Sequence, residues 1–306
     1  MAADEFSLIA RYFSAFGVGP AVALGVGDDC AILQLGPQER LATSVDTVLE
    51  GVHFPVDSFP EDVAYRAVAA AASDLAAMGA RPLGMTLALT LPAADELWLH
   101  SFSQGIGAAV AAFSLPLVGG DTTRGPLSIT VQVLGALPAG LALTRAGAQL
   151  GDVVYVSGTL GDAAAGLAVL QGECRAAPAA AEYLEQRFFR PTPQLALGAL
   201  LLNSATAAID LSDGLLADAG HIAAASGVQL RINAEALPLS AALQAHPNRA
   251  QALGWALAGG DDYELCFCLP PGAEVPIGCT RIGDVVEGAG VLCPGFESLA
   301  TGYRHF

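Results

Sequence analysis

The sequence predicts a mixed α/β (α+β) protein built as two domains. Strand-like and helix-like runs alternate along both halves, a turn-rich stretch at 138–151 separates them, and short acidic tags adjoin the predicted strands. A length of 306 residues favours two cores over one, and a hydrophobic content of 53% is enough to fill them. The expected bounds are 1–138 for the N-terminal domain and 150–306 for the C-terminal domain.

Residues 4–16 predict a short amphipathic helix, and strand-like runs follow at 31–35 and 41–48, each beside an acidic tag. Residues 61–78 predict an alanine-rich helix with acidic residues in its first turn and Gly79 as its stop. Asp74 shares a helical stripe with Val63, Ala67, Ala70, Ala71 and Met78. A carboxylate on an apolar stripe needs a cation or donors, which makes Asp74 a candidate ligand. A strand at 82–91, a helix at 96–113, a strand at 115–118 leading into a Gly119-Gly120-Asp121 turn, and a strand at 127–137 complete this half. Beyond the boundary the pattern predicts strands at 153–157, 208–211, 228–232 and 263–269, with helices at 162–171, 193–203 and 215–226. Cys266 and Cys268 alternate on one strand face without zinc-type spacing, so buried free thiols are expected.

Composition excludes several functions. A net charge of −17, with 30 acidic residues against 13 basic ones, disfavours a nucleic-acid or anionic-membrane surface. The mean hydropathy of +0.51 raises the question of a membrane span, but the apolar stretches at 105–118 and 195–209 are interrupted before the ~20 residues a span needs. The acidic start is unlike a signal peptide, so a cytoplasmic protein is expected. No lysine occurs anywhere, which rules out a Walker A loop and a protein-kinase strand lysine. Any phosphate handled here must be neutralised by bound metal and a few arginines.

The acidic tags are Gly27-Asp28-Asp29, Ser44-Val45-Asp46-Thr47, Ser73-Asp74-Leu75, Gly119-Gly120-Asp121-Thr122-Thr123, Asp210-Leu211-Ser212-Asp213-Gly214 and Gly259-Gly260-Asp261-Asp262. A single such tag more often marks a turn. Several at strand ends, where α/β folds gather ligands, point to hard-cation binding by carboxylate oxygens. Gly25-x-Gly27 runs into Cys30 and two aspartates, so it is no dinucleotide fingerprint; His-Glu-x-x-His, Gly-x-Ser-x-Gly and EF-hand spacings do not occur. His53 follows Asp46 in a loop, and Arg124 and Arg145 are placed to clamp a phosphate.

Taken together, the tags, the segment Gly51-Val52-His53-Phe54, the extended motifs through Ser73-Asp74-Leu75-Ala76-Ala77-Met78-Gly79-Ala80 and Gly119-Gly120-Asp121-Thr122-Thr123-Arg124-Gly125, the opening Glu5-Phe6-Ser7-Leu8-Ile9 and the closing Gly302-Tyr303-Arg304-His305-Phe306 resemble the thiamine-monophosphate kinases. These belong to the superfamily of aminoimidazole ribonucleotide synthetase. The resemblance runs end to end and in order. It implies an N-terminal ATP-binding and dimerisation domain whose strands form a β-barrel across a homodimer, then a C-terminal α/β domain. It also implies ATP-dependent phosphorylation of thiamine monophosphate to thiamine diphosphate with several Mg²⁺ ions. Carried over by motif, the Mg²⁺ ligands are Asp29, Ser44, Val45 through its carbonyl, Asp46, Asp74, Asp121, Asp210 and Asp213. Gly120, Asp121, Arg145 and Ser212 face ATP, while His53, Asp261 and Tyr303 face thiamine phosphate. Asp46 and Asp121 are the expected catalytic residues, as ligands bridging the two phosphate chains. The sequence departs from the family pattern at Asp261, where a glutamate is usual, and in a shortened stretch before Gly302. Two other readings stay open: another ATP-dependent synthetase of the superfamily, or a catalytically silent Mg-nucleotide-binding protein.

Overall fold

The computed structural model describes residues 5–27, 29–297, 299 and 302. In chain order the elements are α1 (Glu5–Tyr12), β1 (Val22–Leu24), β2 (Ile32–Leu33), β3 (Glu39–Leu49), α2 (Pro60–Met78), β4 (Arg81–Leu91), α3 (Glu96–Phe113), β5 (Leu117–Arg124), β6 (Ser128–Pro138), β7 (Val153–Ser157), α4 (Asp162–Leu170), α5 (Pro178–Phe189), α6 (Leu195–Leu201), β8 (Ala207–Asp210), α7 (Leu215–Ser226), β9 (Gln229–Ile232), α8 (Ala241–Gln244), α9 (Arg249–Ala258), β10 (Leu265–Leu269), β11 (Cys279–Val286) and β12 (Gly290–Leu292). The chain up to Leu75, with Ala80–Gly140, forms one unit; Ala76–Gly79 and the chain from Leu141 form the other.

The first unit is built on a four-stranded sheet in the order β3-β6-β4-β5. Strands β3 and β6 pair antiparallel from Glu39↔Pro138 to Leu49↔Ser128, β4 is antiparallel to β6, and β5 lies parallel to β4. Along β3 the period of two that the sequence shows becomes a division of faces. Ala42, Ser44, Asp46 and Val48 turn inward, while Leu41, Thr43, Val45, Thr47 and Leu49 are exposed. Helix α2 lies against the inward face: a Cβ on Gly135 of β6 would meet the Leu75 side chain at 2.8 Å. Its alanines bring neighbours close, and Ala64, Ala69, Ala71, Ala72 and Ala76 are fully buried. Asp95 caps α3, accepting hydrogen bonds from the backbone N–H groups of Leu97 and Trp98.

The second unit carries a six-stranded sheet in the order β12-β9-β11-β7-β10-β8. All its pairings are antiparallel except β12 with β9. The pattern is therefore α+β, the second of the two classes the alternation allows. Every residue of β10 is buried, so Cys266 and Cys268 are core thiols as expected. Cys30 is exposed, and Cys174 and Cys279 are only partly covered, so burial does not extend to all six cysteines.

Several elements differ from the sequence reading. The glycine pair at 119–120 does not turn the chain but lies inside β5. A Cβ on Gly120 would sit 2.0 Å from the Leu87 carbonyl oxygen, so glycine serves close strand approach here. The predicted helix at 4–16 breaks into α1 and a 3₁₀ turn at Ser14–Phe16. Helices α5, α8 and α9 and strands β1, β11 and β12 have no counterpart in the predicted set. Helix α5 begins Pro-Ala-Ala-Ala and buries only Leu184 and Phe188, too few apolar positions to show a period.

Helices α2 and α3 approach closely at Gly105, where a Cβ would lie 2.1 Å from the Glu61 carbonyl oxygen and 2.8 Å from Ala64 Cβ. Gly105→Ala is expected to push the helices apart at a cost of about 1–3 kcal/mol, visible as a melting temperature several degrees lower. An unchanged melting temperature would contradict this packing.

Candidate active site

In the first unit the inward face of β3 meets α2 at an acidic cluster. Ser44 Oγ donates a hydrogen bond to Asp74 Oδ2, and Asp46 lies two residues along the same face of the strand. Burial pushes the Asp46 carboxyl up to about 6, and the Asp74 charge adds to the shift. Two carboxyls and a hydroxyl, with no cationic side chain acting on Asp46, form a hard-oxygen set of the kind divalent cations neutralise. Val45 sits between the two inward residues with its own side chain exposed.

A second cluster lines a cavity of about 620 Å³ bordered by Asp29, Gly119, Gly120 and Asp121 on one side and by Ile9 and Phe13 on another. That volume suits a small ligand, with an apolar wall beside an acidic rim. Sheet order separates the two clusters. Strands β6 and β4 lie between β3 and β5, so Asp46 and Asp121 stand roughly 14 Å apart along the sheet at ~4.8 Å per strand. One ion cannot join them within a protomer, so the two carboxylates would act on different ions of the several expected. Among the described residues no group of three or more His, Cys, Asp or Glu side chains is arranged to hold a metal ion. Magnesium ordinarily binds through one or two carboxylates, completed by water and substrate phosphate, so paired carboxylates fit it without a full protein cage.

His53 stands in the loop after β3, where its Nδ1 accepts a hydrogen bond from the Leu49 N–H at 3.1 Å and its own N–H returns to the Leu49 carbonyl. With Nδ1 accepting, the neutral ring carries its proton on Nε2.

In the second unit two tags about fifty residues apart in sequence interlock. Strand β8 ends at buried Asp210, and the chain continues through Ser212 and Asp213 to Gly214 before α7. Asp261 N–H donates to the Ser212 carbonyl at 2.8 Å, Tyr263 N–H to the Leu211 carbonyl at 2.9 Å, and Leu211 N–H to the Glu264 carbonyl at 2.8 Å. A Cβ on Gly260 would fall 2.5 Å from the Ser212 carbonyl oxygen, which explains the glycine. Asp261 and Tyr263 both adopt positive φ, 62° and 52°, each costing about 1–2 kcal/mol. The Tyr263 hydroxyl donates to Asp261 Oδ1 at 3.2 Å.

Several buried carboxyls here were not among the site residues expected from the sequence. Asp218, in the first turn of α7, accepts from the N–H groups of Asp213 and Gly214 at 3.1 and 3.0 Å and so shapes the loop. Burial, then the charges of Asp210 and Asp213, push it up to about 8. Behind the other loop, Asp262 accepts from Gly161 N–H at 2.7 Å, and Glu264 from Ser157 Oγ at 2.5 Å and Arg187 at 3.1 Å. Asp162 accepts from Ser240, Thr159 and Tyr183. The available signal was the alternation of Asp262 and Glu264 leading into the wholly apolar β10, which turns both side chains inward.

Arg145 is exposed in the loop before β7, and its carbonyl accepts from Ser226 Oγ. Next to it, the Thr144 carbonyl accepts from Ala208 N–H at the start of β8. Tyr303 lies outside the described residues, although a Cβ on neighbouring Gly302 would meet the Asp213 carbonyl oxygen at 2.7 Å.

Residues 27–137 match the N-terminal domain of AIR synthase related proteins, and residues 149–275 match the C-terminal domain. The thiamine-monophosphate kinase of Escherichia coli K12 is 53% identical over 272 residues, covering 88% of this chain and 84% of its own. The chain belongs to the thiamine-monophosphate kinase family. The crystal structure of the thiamine-monophosphate kinase from Stenotrophomonas maltophilia K279a superposes with a TM-score of 0.88 at 45% identity, over 96% of this chain and 98% of that one. AaThiL complexed with AMPPCP and TMP superposes with a TM-score of 0.82 at 35% identity, over 89% of each chain. Both family-model matches span the acidic tags, with Asp29, Asp46, Asp74 and Asp121 in the first and Asp210, Asp213 and Asp261 in the second.

Asp262 gives the second unit a pH signature. Burial pushes its carboxyl from 3.8 up to about 8, with Gly161 N–H and Arg187 opposing the shift and Asp162 and Glu264 adding to it. A carboxyl raised on folding contributes stability that is present below its unfolded value and is lost as pH rises through the folded one. Unfolding free energy should therefore fall between pH 5 and pH 8 more steeply in the wild type than in Asp262→Asn, by about 1.4 kcal/mol per pH unit at most. Parallel slopes in denaturant titrations would contradict the assignment.

Proposed function

We propose that the protein transfers the γ-phosphoryl group of ATP to the phosphate of thiamine monophosphate, yielding thiamine diphosphate and ADP. The observation that carries the reading on this chain is the acidic cluster on β3 and α2, where Ser44, Asp46 and Asp74 gather charge in a chain that has no lysine. Family membership and a relative complexed with AMPPCP and TMP support the two substrates.

The acceptor is a phosphate monoester oxygen whose second pKa lies near ~6, so it is already ionised at neutral pH and no catalytic base is needed. What remains is positioning and charge compensation for a direct in-line transfer without a phosphoenzyme. Asp46 and Asp74, with Ser44 and the Val45 carbonyl, would hold Mg²⁺ at one place, Asp29 and Asp121 at a second, and Asp210 and Asp213 at a third. Bound there, magnesium supplies the positive charge that lets two anions approach. Gly120 gives backbone access beside the cavity, Arg145 and Ser212 meet the nucleotide, and His53 presents its Nε2 proton to the acceptor phosphate. Asp261 and Tyr303 complete the thiamine side.

A homodimer with a shared barrel fits the bare side of the first sheet. Strand β3 is an eleven-residue edge strand with Leu41, Val45 and Leu49 exposed along it, and natural edges of that length are covered. No helix among the described residues is long and apolar enough to cross a membrane, which accords with work in the cytoplasm.

Asp46→Asn and Asp121→Asn are each expected to lower turnover by on the order of 10², about 3 kcal/mol of barrier, in an ADP-release assay at saturating Mg²⁺. Near-normal turnover in both would remove them from the mechanism, and ADP release that ignores thiamine monophosphate would remove the substrate. Leu41→Glu, a charge on the bare edge, is expected to shift the sedimentation equilibrium toward monomer. An unchanged association state would place the dimer contact elsewhere.

A further inference from the structure

The second unit buries three carboxyls behind the Gly259–Tyr263 loop beside one partly covered guanidinium, and none of them is needed to hold metal or nucleotide in the mechanism above. Asp162 is wholly inaccessible, and Asp262 and Glu264 are 4% and 3% exposed. Arg187 of α5 reaches them from one side, its guanidinium 3.1 Å from Glu264 Oε1 and 3.8 Å from Asp162 Oδ2. A buried ion cluster of this kind is often matched or exceeded in stability by apolar packing, so its presence asks for a role beyond cohesion.

Its position supplies that role. The loop in front of the cluster has Gly260, Asp261 and Tyr263 at positive φ. Such backbone persists only where the surroundings over-determine it. From the front the loop is held by the carbonyls of Ser212 and Leu211. From behind, Asp262 turns inward to backbone donors: its Oδ2 accepts the N–H of Gly161 at the start of α4, and its Oδ1 lies 3.5 Å from the N–H of Ala163. Residues alternate across this clamp: Asp262 and Glu264 enter the cluster, while Asp261 stays partly exposed on the opposite side, tied to the Tyr263 hydroxyl.

We propose that Asp262 is a positioning residue for substrate: anchored on Gly161 and backed by Arg187 and Glu264, it locks the left-handed turn that presents Asp261 to thiamine monophosphate. The inference rests on the kinase reading given above and on Asp261 facing the thiamine side. Asp262 acts only through the conformation of its neighbour and touches no substrate.

The test is a double-mutant cycle on the full-length protein, with kcat and KM measured for each substrate by ADP release. Asp262→Ala is expected to raise the KM for thiamine monophosphate about tenfold, the size of effect a lost buried hydrogen bond gives, with the KM for ATP changed less than about twofold. Asp262→Asn keeps an acceptor for Gly161 and is expected to restore the KM to within about threefold of wild type. In an Asp261→Ala background, Asp262→Ala should add no further rise, because the group it positions is gone. A merely structural role predicts the opposite: additive losses, or an equal rise in both KM values, either of which overturns the proposal. So does an Asn variant as impaired as the alanine one. Should Asp262→Ala fail to fold, Asp262→Ser, whose oxygen falls short of Gly161, takes its place in the same cycle with the same criteria. A wild-type protein that releases no ADP with thiamine monophosphate overturns the kinase reading and this inference together, whereas an active wild type with an additive cycle overturns this inference alone.

Discussion

Electrostatic repulsion among carboxylates is the constraint the rest of this structure answers to. A chain with net charge −17 and no lysine folds so that several acidic groups face one another, Asp46 with Asp74 and Asp218 with Asp210 and Asp213. Each such contact costs folding energy unless protons, donors or cations relieve it. The relief differs from place to place. Asp162 is met by three hydroxyls, Asp218 by two backbone N–H groups, and Glu264 by Ser157 and Arg187.

Those differences sort structural carboxyls from ligand candidates more sharply than the tags do. A structural carboxyl is surrounded by protein donors and deeply buried. Asp46 is neither: it is partly exposed, and burial and Asp74 raise it without any hydrogen bond pulling it back. A group in that condition is the candidate for balance by a divalent ion, the counter-ion that phosphate chemistry brings with it. In the second unit the same logic separates Asp213, which lends its backbone to Asp218 and keeps its side chain partly exposed, from Asp218 beneath it.

Much of the architecture was legible in the sequence, and the reasons are local. Helices α2 and α3 and strands β3, β4 and β6 came within a few residues of their observed bounds, because they are long and carry clear periods or caps. The candidate site was legible to the extent that its residues sit in short tags beside strands. What escaped depends on distant partners. Helix α5 hides its period in alanines yet delivers Arg187 to Glu264, seventy-seven residues away in sequence. Strand β11 pairs with both β7 and β9 and breaks register between Arg281 and Gly283, so no clean alternation survives to be read. Gly119-Gly120 spells a turn locally, but close approach to Leu87 makes it strand.

The same separation of local from distant information bears on the proposed magnesium sites. Motif order places Asp46 and Asp121 in one list of ligands, and nothing in the sequence says how far apart they stand. Two intervening strands do, and they divide the acidic residues of the first unit into the β3–α2 cluster and the cavity beside β5. Two phosphate chains that must meet end to end also carry charge over a length greater than one ion can neutralise. Carboxylates distributed along a sheet, rather than gathered at one point, are therefore the arrangement that an anion-to-anion transfer calls for. A compact cage of the same aspartates would bind a cation more tightly and leave the far end of the substrate pair uncompensated.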